Sequence, residues 1–260
     1  MEAGALGTEV NQSEAESLLV TAYFDEKPNC ERVRAELLDG LRIYGLQSSS
    51  LRSMNTREIV AQDWLREWKK SWQPVEIGER FIVAPPWIEI SETSNRIVIR
   101  IEPGMAFGTG THETTRLCLV AIEKYFEGGT FLDVGTGTGI LAIAAAKLIP
   151  AAHIEAFDTD PDAVAIARAN AELNGVSEHV TLRVGTVEQT TASFDCVCAN
   201  LTADVIVSML PTLIGITCGR LILSGILEAQ IDIVSDRLQQ LAISQPYEIT
   251  TEGEWSCIVV

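Results

Sequence analysis

The sequence predicts an α/β fold, a Rossmann-like doubly wound parallel sheet preceded by a small α+β domain. Three observations carry that reading. From about Pro74 onward short apolar strands alternate with helical stretches; the turn Asp133-Val134-Gly135-Thr136-Gly137-Thr138-Gly139 joins one strand to one helix; and the stretch up to about Val60 is a separate mixture of strand and helix patterns. Strands that alternate with helices bury both faces of a parallel sheet.

Taken in order, a strand near Gly7 to Val10 is followed by the β-rich run LLVTAYF between Ser17 and Phe24. A helix is expected from Cys30 to Tyr44, where Val33, Leu37, Leu41 and Tyr44 recur at helical spacing. The polar Ser48-Ser49-Ser50 breaks the pattern before another possible strand. In AQDWLREWKKSW, Trp64, Trp68 and Trp72 stand four residues apart on one helical face. That spacing favours a linker helix packing its indoles over a platform for stacking nucleic-acid bases. The expected domains are therefore 1–60, a linker helix over 61–73, and 74–260.

Within the last of these, Thr130 to Val134 reads as a strand, Ile140 to Leu148 as a helix and Ile154 to Phe157 as the next strand. Asp160-Pro161 supplies an N-cap acid and a proline at the first helical position, and the helix runs to Leu173 before a left-handed cap at Asn174-Gly175. Val180 to Val184, Phe194 to Ala199 and Arg220 to Leu223 supply three more strands, Leu227 to Leu241 a helix, and Tyr247 to Val260 a closing hairpin.

Composition narrows the class. A chain of 260 residues with 47% hydrophobic and 21% charged residues can bury one large core and a smaller one. The net charge of −17 repels phosphate backbones, so direct nucleic-acid binding is not expected. The acidity serves either to steer a basic protein partner or to keep the chain soluble. The apolar stretch after Asn200 is interrupted by Asp204, Ser208 and Pro211, short of a membrane span. The start shows no secretory pattern, and the six cysteines contain no C-x-x-C pair and read as buried free thiols. A cytoplasmic monomer is expected, with no bound metal.

The glycine loop carries the chemistry. A dinucleotide fingerprint would need glycine at position 140, which is Ile140. The G-x-G-x-G that is present, led by Asp133, resembles the first motif of class I methyltransferases, whose loop (here Gly135 and Gly137) cradles S-adenosylmethionine. About 20 residues beyond the loop, where an acid commonly accepts ribose hydroxyls, stands Asp158. Asp160 competes for that role, but its place before Pro161 suits capping, and capping is also the rival role for Asp158. Asn200 ends a strand beside the crevice of such a sheet. Its amide oxygen could align an acceptor amine with the departing sulfur, supplying proximity rather than proton transfer; a simple turn residue is the competing reading. Asn200-Leu201-Thr202-Ala203 lacks the Pro-Pro-Tyr that often follows in enzymes acting on base or glutamine amides.

Upstream, Pro103-Gly104-Met105-Ala106-Phe107-Gly108-Thr109-Gly110-Thr111-His112-Glu113-Thr114-Thr115 resembles the signature loop of the PrmA-type methyltransferases, which modify the eleventh protein of the large ribosomal subunit. WKKSWQPVEIGERFIVAPPW from Trp68, Asn200-Leu201, Leu223-Ser224-Gly225-Ile226-Leu227 and Glu254-Trp255 follow in the family's order. The resemblance implies a cytoplasmic enzyme that methylates α-amino and lysine ε-amino groups of that ribosomal protein. It sets the cofactor against Thr115, Gly135, Asp158 and Asn200, with Phe107 near the methyl donor. An aromatic face suits a sulfonium, and the hydroxyl of Thr109 and its neighbours could hold polar cofactor groups. For His112 a structural hydrogen bond is preferred to a general base.

The family's first domain resembles a ferredoxin-like βαββαβ unit, of which the first sixty residues offer only the later part. The expectation is therefore a start upstream of Met1, or a truncated domain that recognises its substrate poorly. A nucleic-acid methyltransferase and a non-catalytic binding module are the competing classes. The acidity and the missing Pro-Pro-Tyr oppose the first, and the intact glycines, Asp158 and Asn200 oppose the second.

Overall fold

The structure, a computed structural model, describes residues 7–12, 18–24, 27–43, 46–56, 72–90, 95–102, 110, 112–187, 192–243 and 248–260. The chain divides into two units, Met1–Ser71 and Trp72–Val260.

In the first unit β1 (Gly7–Gln12) and β2 (Leu18–Tyr23) pair antiparallel, from Gly7 opposite Tyr23 to Gln12 opposite Leu18. Helix α1 (Cys30–Ile43) starts where Asn29 Oδ1 accepts the N–H groups of Glu31 and Arg32, both at 3.1 Å. That bond satisfies two of the orphan donors of the first turn. Ser48–Ser50 form a single 3₁₀ turn. Residues 51–56 join no ladder among the described residues, and the remainder of the stretch in which a strand is expected, 57–60, lies outside them. Four of the six, Arg52, Ser53, Asn55 and Thr56, are polar and do not alternate as a half-buried strand would. The expected linker helix lies outside the described residues over 61–71, and Trp72 and Gln73 are not helical.

The second unit opens with β3 (Val75–Ile77), β4 (Phe81–Ala84) and β5 (Ile97–Arg100), a small sheet ordered β3-β4-β5. Helix α2 (Glu113–Tyr125) holds it in place, because the Glu123 carboxylate accepts the N–H groups of Glu79 (3.0 Å) and Arg80 (3.2 Å) at the β3–β4 turn. Next come β6 (Thr130–Val134), α3 (Ile140–Leu148), β7 (His153–Asp158), α4 (Pro161–Leu173), β8 (Val180–Val184) and β9 (Phe194–Asn200). Then follow α5 (Ala203–Ile216), β10 (Thr217–Leu227), α6 (Ile231–Gln240), β11 (Glu248–Glu252) and β12 (Trp255–Val259).

Seven strands form one sheet in the order β11-β12-β10-β9-β6-β7-β8, parallel except for β12, which is antiparallel to both neighbours. This is the expected doubly wound sheet. From β6 the chain steps outward to β8, then returns to β9 on the other side of β6. That reversal opens a crevice beyond the carboxyl ends of β6 and β9. The alternation of strand side chains makes two cores. Phe131, Ile154 and Ile222 pack with α2 and α3, while Leu132, Val197 and Leu223 pack with α5 and α6.

Two element boundaries differ from expectation. Strand β10 is much longer than Arg220 to Leu223, because its distal half pairs with β12 as far as Leu227 opposite Trp255. The same pairing keeps Leu227 out of the following helix: a 3₁₀ turn at Glu228–Gln230 intervenes, with Gln230 Oε1 accepting the Leu227 N–H at 3.2 Å.

Phe131 is fully buried and meets Phe126 edge-on, with ring centroids 5.1 Å apart. Phe131→Ala should lower unfolding free energy by about 3–5 kcal/mol through lost transfer energy and a cavity. Urea unfolding checks this; a loss below about 1 kcal/mol would mean the site collapses around the gap.

Candidate active site

The crevice is built around a buried acid. Asp133, one residue before the end of β6, is fully buried. Its Oδ2 accepts the Thr136 hydroxyl at 2.7 Å and the Ala142 N–H at 3.2 Å. Its Oδ1 has no partner among the described residues. Burial pushes the carboxyl up to about 6; the two hydrogen bonds oppose that rise and the charge of Asp158 adds to it.

Above Asp133 the chain makes a turn that glycines permit. Gly135, Gly137 and Gly139 have φ of 74°, 54° and 82°, the left-handed region costly to other residues. At Gly135 a β-carbon would stand 2.6 Å from Leu201 Cδ2, so the residue after Asn200 packs directly on the loop. The N–H groups of Gly135 and Thr136 both reach Phe157 O at 2.9 Å, tying the loop to β7. At the end of β7, Asp158 Oδ2 accepts the Gly137 N–H at 2.9 Å and Oδ1 accepts the Asp160 N–H at 3.0 Å. Asp160 caps α4 by accepting the Asp162 N–H at 2.9 Å. The two acids therefore divide their duties: Asp160 is the cap, and Asp158 holds the glycine loop.

Across the crevice, Asn200 Nδ2 donates to Thr114 Oγ1 at 3.3 Å. That hydroxyl lies 3.0 Å from His112 Nδ1, which also accepts the Thr114 N–H at 3.3 Å and so caps α2. A consistent proton assignment has the Thr114 hydroxyl donating to His112 Nδ1 while accepting from Asn200. His112 is thus a capping group, as expected. Its ring also meets Trp255 edge-on at 5.1 Å. With Nδ2 committed to Thr114, the Asn200 carbonyl oxygen is the atom left to accept a hydrogen bond from a ligand.

Strand β10 supports this corner. Ser224 lies opposite Asn200, its carbonyl accepts the Leu201 N–H at 3.0 Å, and its hydroxyl reaches the carbonyls of Thr114 and Ser256, each at 3.3 Å. At Gly225 (φ 84°) a β-carbon would stand 2.2 Å from Leu201 O, so only glycine lets the two backbones meet here.

Of the expected site residues, the structure brings Gly135, Gly137 and Asp158 together at one side of the crevice and Asn200 at the other. Thr115 sits on the first turn of α2, nearly fully buried, and its hydroxyl has no partner among the described residues. Phe107 and Thr109 lie outside the described residues. Sequence reasoning missed Thr114, Leu201, Ser224 and Gly225 as supports of Asn200. The strings THETT, Asn200-Leu201 and LSGIL held them, but only as family signature.

The comparisons with known proteins give the chain's family. Residues 3–260 match the family described as Ribosomal protein L11 methyltransferase (PrmA). A Ribosomal protein L11 methyltransferase of Clostridium perfringens is 36% identical over 248 residues, 93% of this chain and 78% of its own length. The chain belongs to this family. It is an S-adenosylmethionine-dependent methyltransferase, as the glycine loop implied. A relative of the same description from Geobacter metallireducens is 40% identical over 253 residues, 95% of this chain and 82% of its own length. The crystal structure described as ribosomal protein L11 methylase from Lactobacillus delbrueckii subsp. bulgaricus superposes with a TM-score of 0.67 at 30% identity, over 72% of this chain and 97% of that one. Among the described residues no cluster of ligating side chains could hold a metal, and no helix is long and apolar enough to cross a membrane.

The residues present fit the family's cofactor. The loop offers bare backbone at Gly135 and Gly137, Asp158 is partly buried with spare lone pairs, and the Thr115 hydroxyl is buried with no partner among the described residues.

The buried carboxylate sets a pH dependence. Asp133 in the folded protein holds its proton up to about pH 6, above its value in an unfolded chain. The folded state therefore binds more protons between about pH 4 and 6, and stability falls as pH rises through that window. The fall is about 3 kcal/mol at about 1.4 kcal/mol per pKa unit. Asp133→Asn should flatten it relative to the parent; urea unfolding at pH 4.5 and 7 measures the difference. Equal slopes for the two proteins would mean the carboxyl titrates normally.

Proposed function

We propose that the chain N-methylates a ribosomal protein, the L11 of its relatives' names, on α-amino and lysine ε-amino groups. The observation that carries this is the Asn200 corner: an amide with one N–H given to Thr114, which fixes its orientation and turns its oxygen to accept from an amine at the crevice. In this reading Asp158 accepts the cofactor's ribose hydroxyls, Gly135 and Gly137 admit its polar groups to the backbone, and Thr115 and Thr109 supply hydroxyls. The family resemblance gives Phe107 the role of offering an aromatic face to the charged sulfur. S-adenosylmethionine, when bound, supplies a methyl group on a positively charged sulfur. Asn200 Oδ1 accepts a hydrogen bond from the acceptor amine and aligns its lone pair, which gives rate by orientation rather than by proton transfer.

The amine must arrive neutral. An α-amine with a pKa of about 7.7–8 is partly neutral at cellular pH, whereas lysine near 10.4 is not. A low-dielectric crevice lowers the latter, because burial disfavours the charged form. His112 is committed to its cap, so the proton leaves to water.

Residues 74–260 are the catalytic domain in this reading, 61–73 the linker and 1–60 the recognition domain. An acidic chain suits a basic ribosomal protein as partner, and such a substrate puts the reaction in the cytoplasm.

Mass spectrometry of ribosomal proteins incubated with the protein and labelled cofactor should find the label on one large-subunit protein. Label confined to RNA would reverse the assignment. Asp158→Ala should weaken S-adenosylhomocysteine binding by about 1.5–3 kcal/mol, the range for hydrogen bonds to a charged group. Unchanged calorimetric affinity in the folded variant removes Asp158 from the site. Asn200→Ala should lower kcat with little change in cofactor affinity. Should kcat survive on a protein substrate, Asn200 is only the turn after β9.

A further inference from the structure

We infer that Asn170, on α4, is a positioning residue for the cofactor loop. The inference rests on the reading that Gly135 to Gly139 carries the cofactor.

The buried face of α4 consists of Ala163, Val164, Ala167, Asn170 and Ala171. Ala167 packs on the loop: a β-carbon at Gly139 would stand 3.0 Å from Ala167 Cβ. Asn170 is the one polar member of that face and is 2% exposed. A buried amide left unbonded costs about 1–3 kcal/mol, so its partners decide whether it is tolerated.

Both ends of the amide are used. Nδ2 donates to Thr138 O at 2.9 Å, and Oδ1 accepts the Glu102 N–H at 3.3 Å. The first of these bonds reaches the loop itself. Thr138 precedes Gly139, the N-cap of α3, and helix bonding begins with the Gly139 carbonyl accepting the Ile143 N–H at 2.9 Å. The Ala142 N–H, the nearest donor along the chain, is turned to Asp133. Asn170 Nδ2 thus ties the Thr138 carbonyl to the buried face of α4. The glycine loop is then held from three sides: beneath by Asp133, at the β7 end by Asp158, and on the α4 side by Asn170.

One turn along the helix, Asn174 provides an internal comparison. Its Oδ1 accepts the Arg100 N–H at 2.8 Å and its Nδ2 donates to Arg100 O at 2.6 Å. It straps the end of β5 to α4 as Asn170 straps Glu102, but none of its hydrogen bonds goes to the glycine loop. Loss of Asn174 loosens the strap, whereas loss of the Asn170 donor also frees the loop.

The experiment is calorimetric titration of the full chain with S-adenosylhomocysteine, paired with thermal unfolding and steady-state kinetics. Asn170→Asp keeps an acceptor for the Glu102 N–H but sets an oxygen against Thr138 O. It should weaken binding about fivefold to tenfold, what one net hydrogen bond is worth. It should also raise KM for S-adenosylmethionine while kcat at saturating cofactor changes little. Asn174→Ala, although it lowers the melting temperature, should bind within about twofold of the parent, under half a kcal/mol. The inference is overturned if folded Asn170→Asp binds as the parent does, if kcat falls with KM unchanged, or if Asn174→Ala weakens binding as much. Where Asn170→Asp does not fold, Asn170→Ala, which buries no charge, is read by the same criteria. Failure of the parent itself to bind S-adenosylhomocysteine would instead reject the loop as the cofactor site.

Discussion

A carboxylate buried with no counter-ion among the described residues sits next to the end of β6, and the cofactor loop is arranged about it. Asp133 cannot reach water, so the fold brings donors to it: the Thr136 hydroxyl and the Ala142 N–H converge on one oxygen. A loop that leaves β6, doubles back over its last side chain and enters a helix within a few residues must pass through left-handed backbone. Three glycines make that affordable. The spacing of the motif is thus a consequence of where the acid needs its hydrogen bonds. A buried acid raised to about 6 is a standing cost above that pH, accepted where a rigid turn is worth more than stability.

The acceptor side of the crevice obeys a different constraint. Asn200 ends β9 at the chain reversal, and its amide could rotate either way. The hydroxyl of Thr114, oriented by the His112 cap, selects the orientation with the nitrogen inward. Ser224 and Gly225 bring β10 against Leu201, and Leu201 in turn rests on Gly135. The two sides of the crevice therefore touch through one leucine. A shift of the strand end beneath Asn200 would be felt at the glycine loop, because packed contacts at van der Waals distance transmit displacement.

The elements that could be read directly were those whose signals are local. Strand β6, the glycine turn, helix α3 and helix α4 with Asp160, Pro161 and Gly175 as its caps fall where residue types place them. Helix α5 was not read as a helix, because Pro211 stands inside it and removes a backbone donor. It forms because Ile206, Leu210 and Leu213 bury against the sheet, a gain larger than one missing bond. Helix α2 was hidden behind the signature string, whose polar threonines look like a loop. Two of those threonines are buried in its first turn.

Sequence alone determined the family, the α/β class, the order of strands and helices around the glycine loop, and the identity of the acid and amide at the strand ends. The family follows from the resemblance carried by the Pro103 to Thr115 string, and the rest from period and spacing along the chain. Tertiary structure decided what each side chain does there. In the sequence Asp158 and Asp160 compete for the ribose, Asp160 being the better placed to cap; their hydrogen bonds separate them, because Asp158 bonds the glycine loop and Asp160 caps α4. Asn170 was one polar residue in a helical run; its partners lie 32 and 68 residues away along the chain. A side chain's hydrogen-bonding partners across such distances are set by the packing of the sheet and its helices, and no local pattern encodes them.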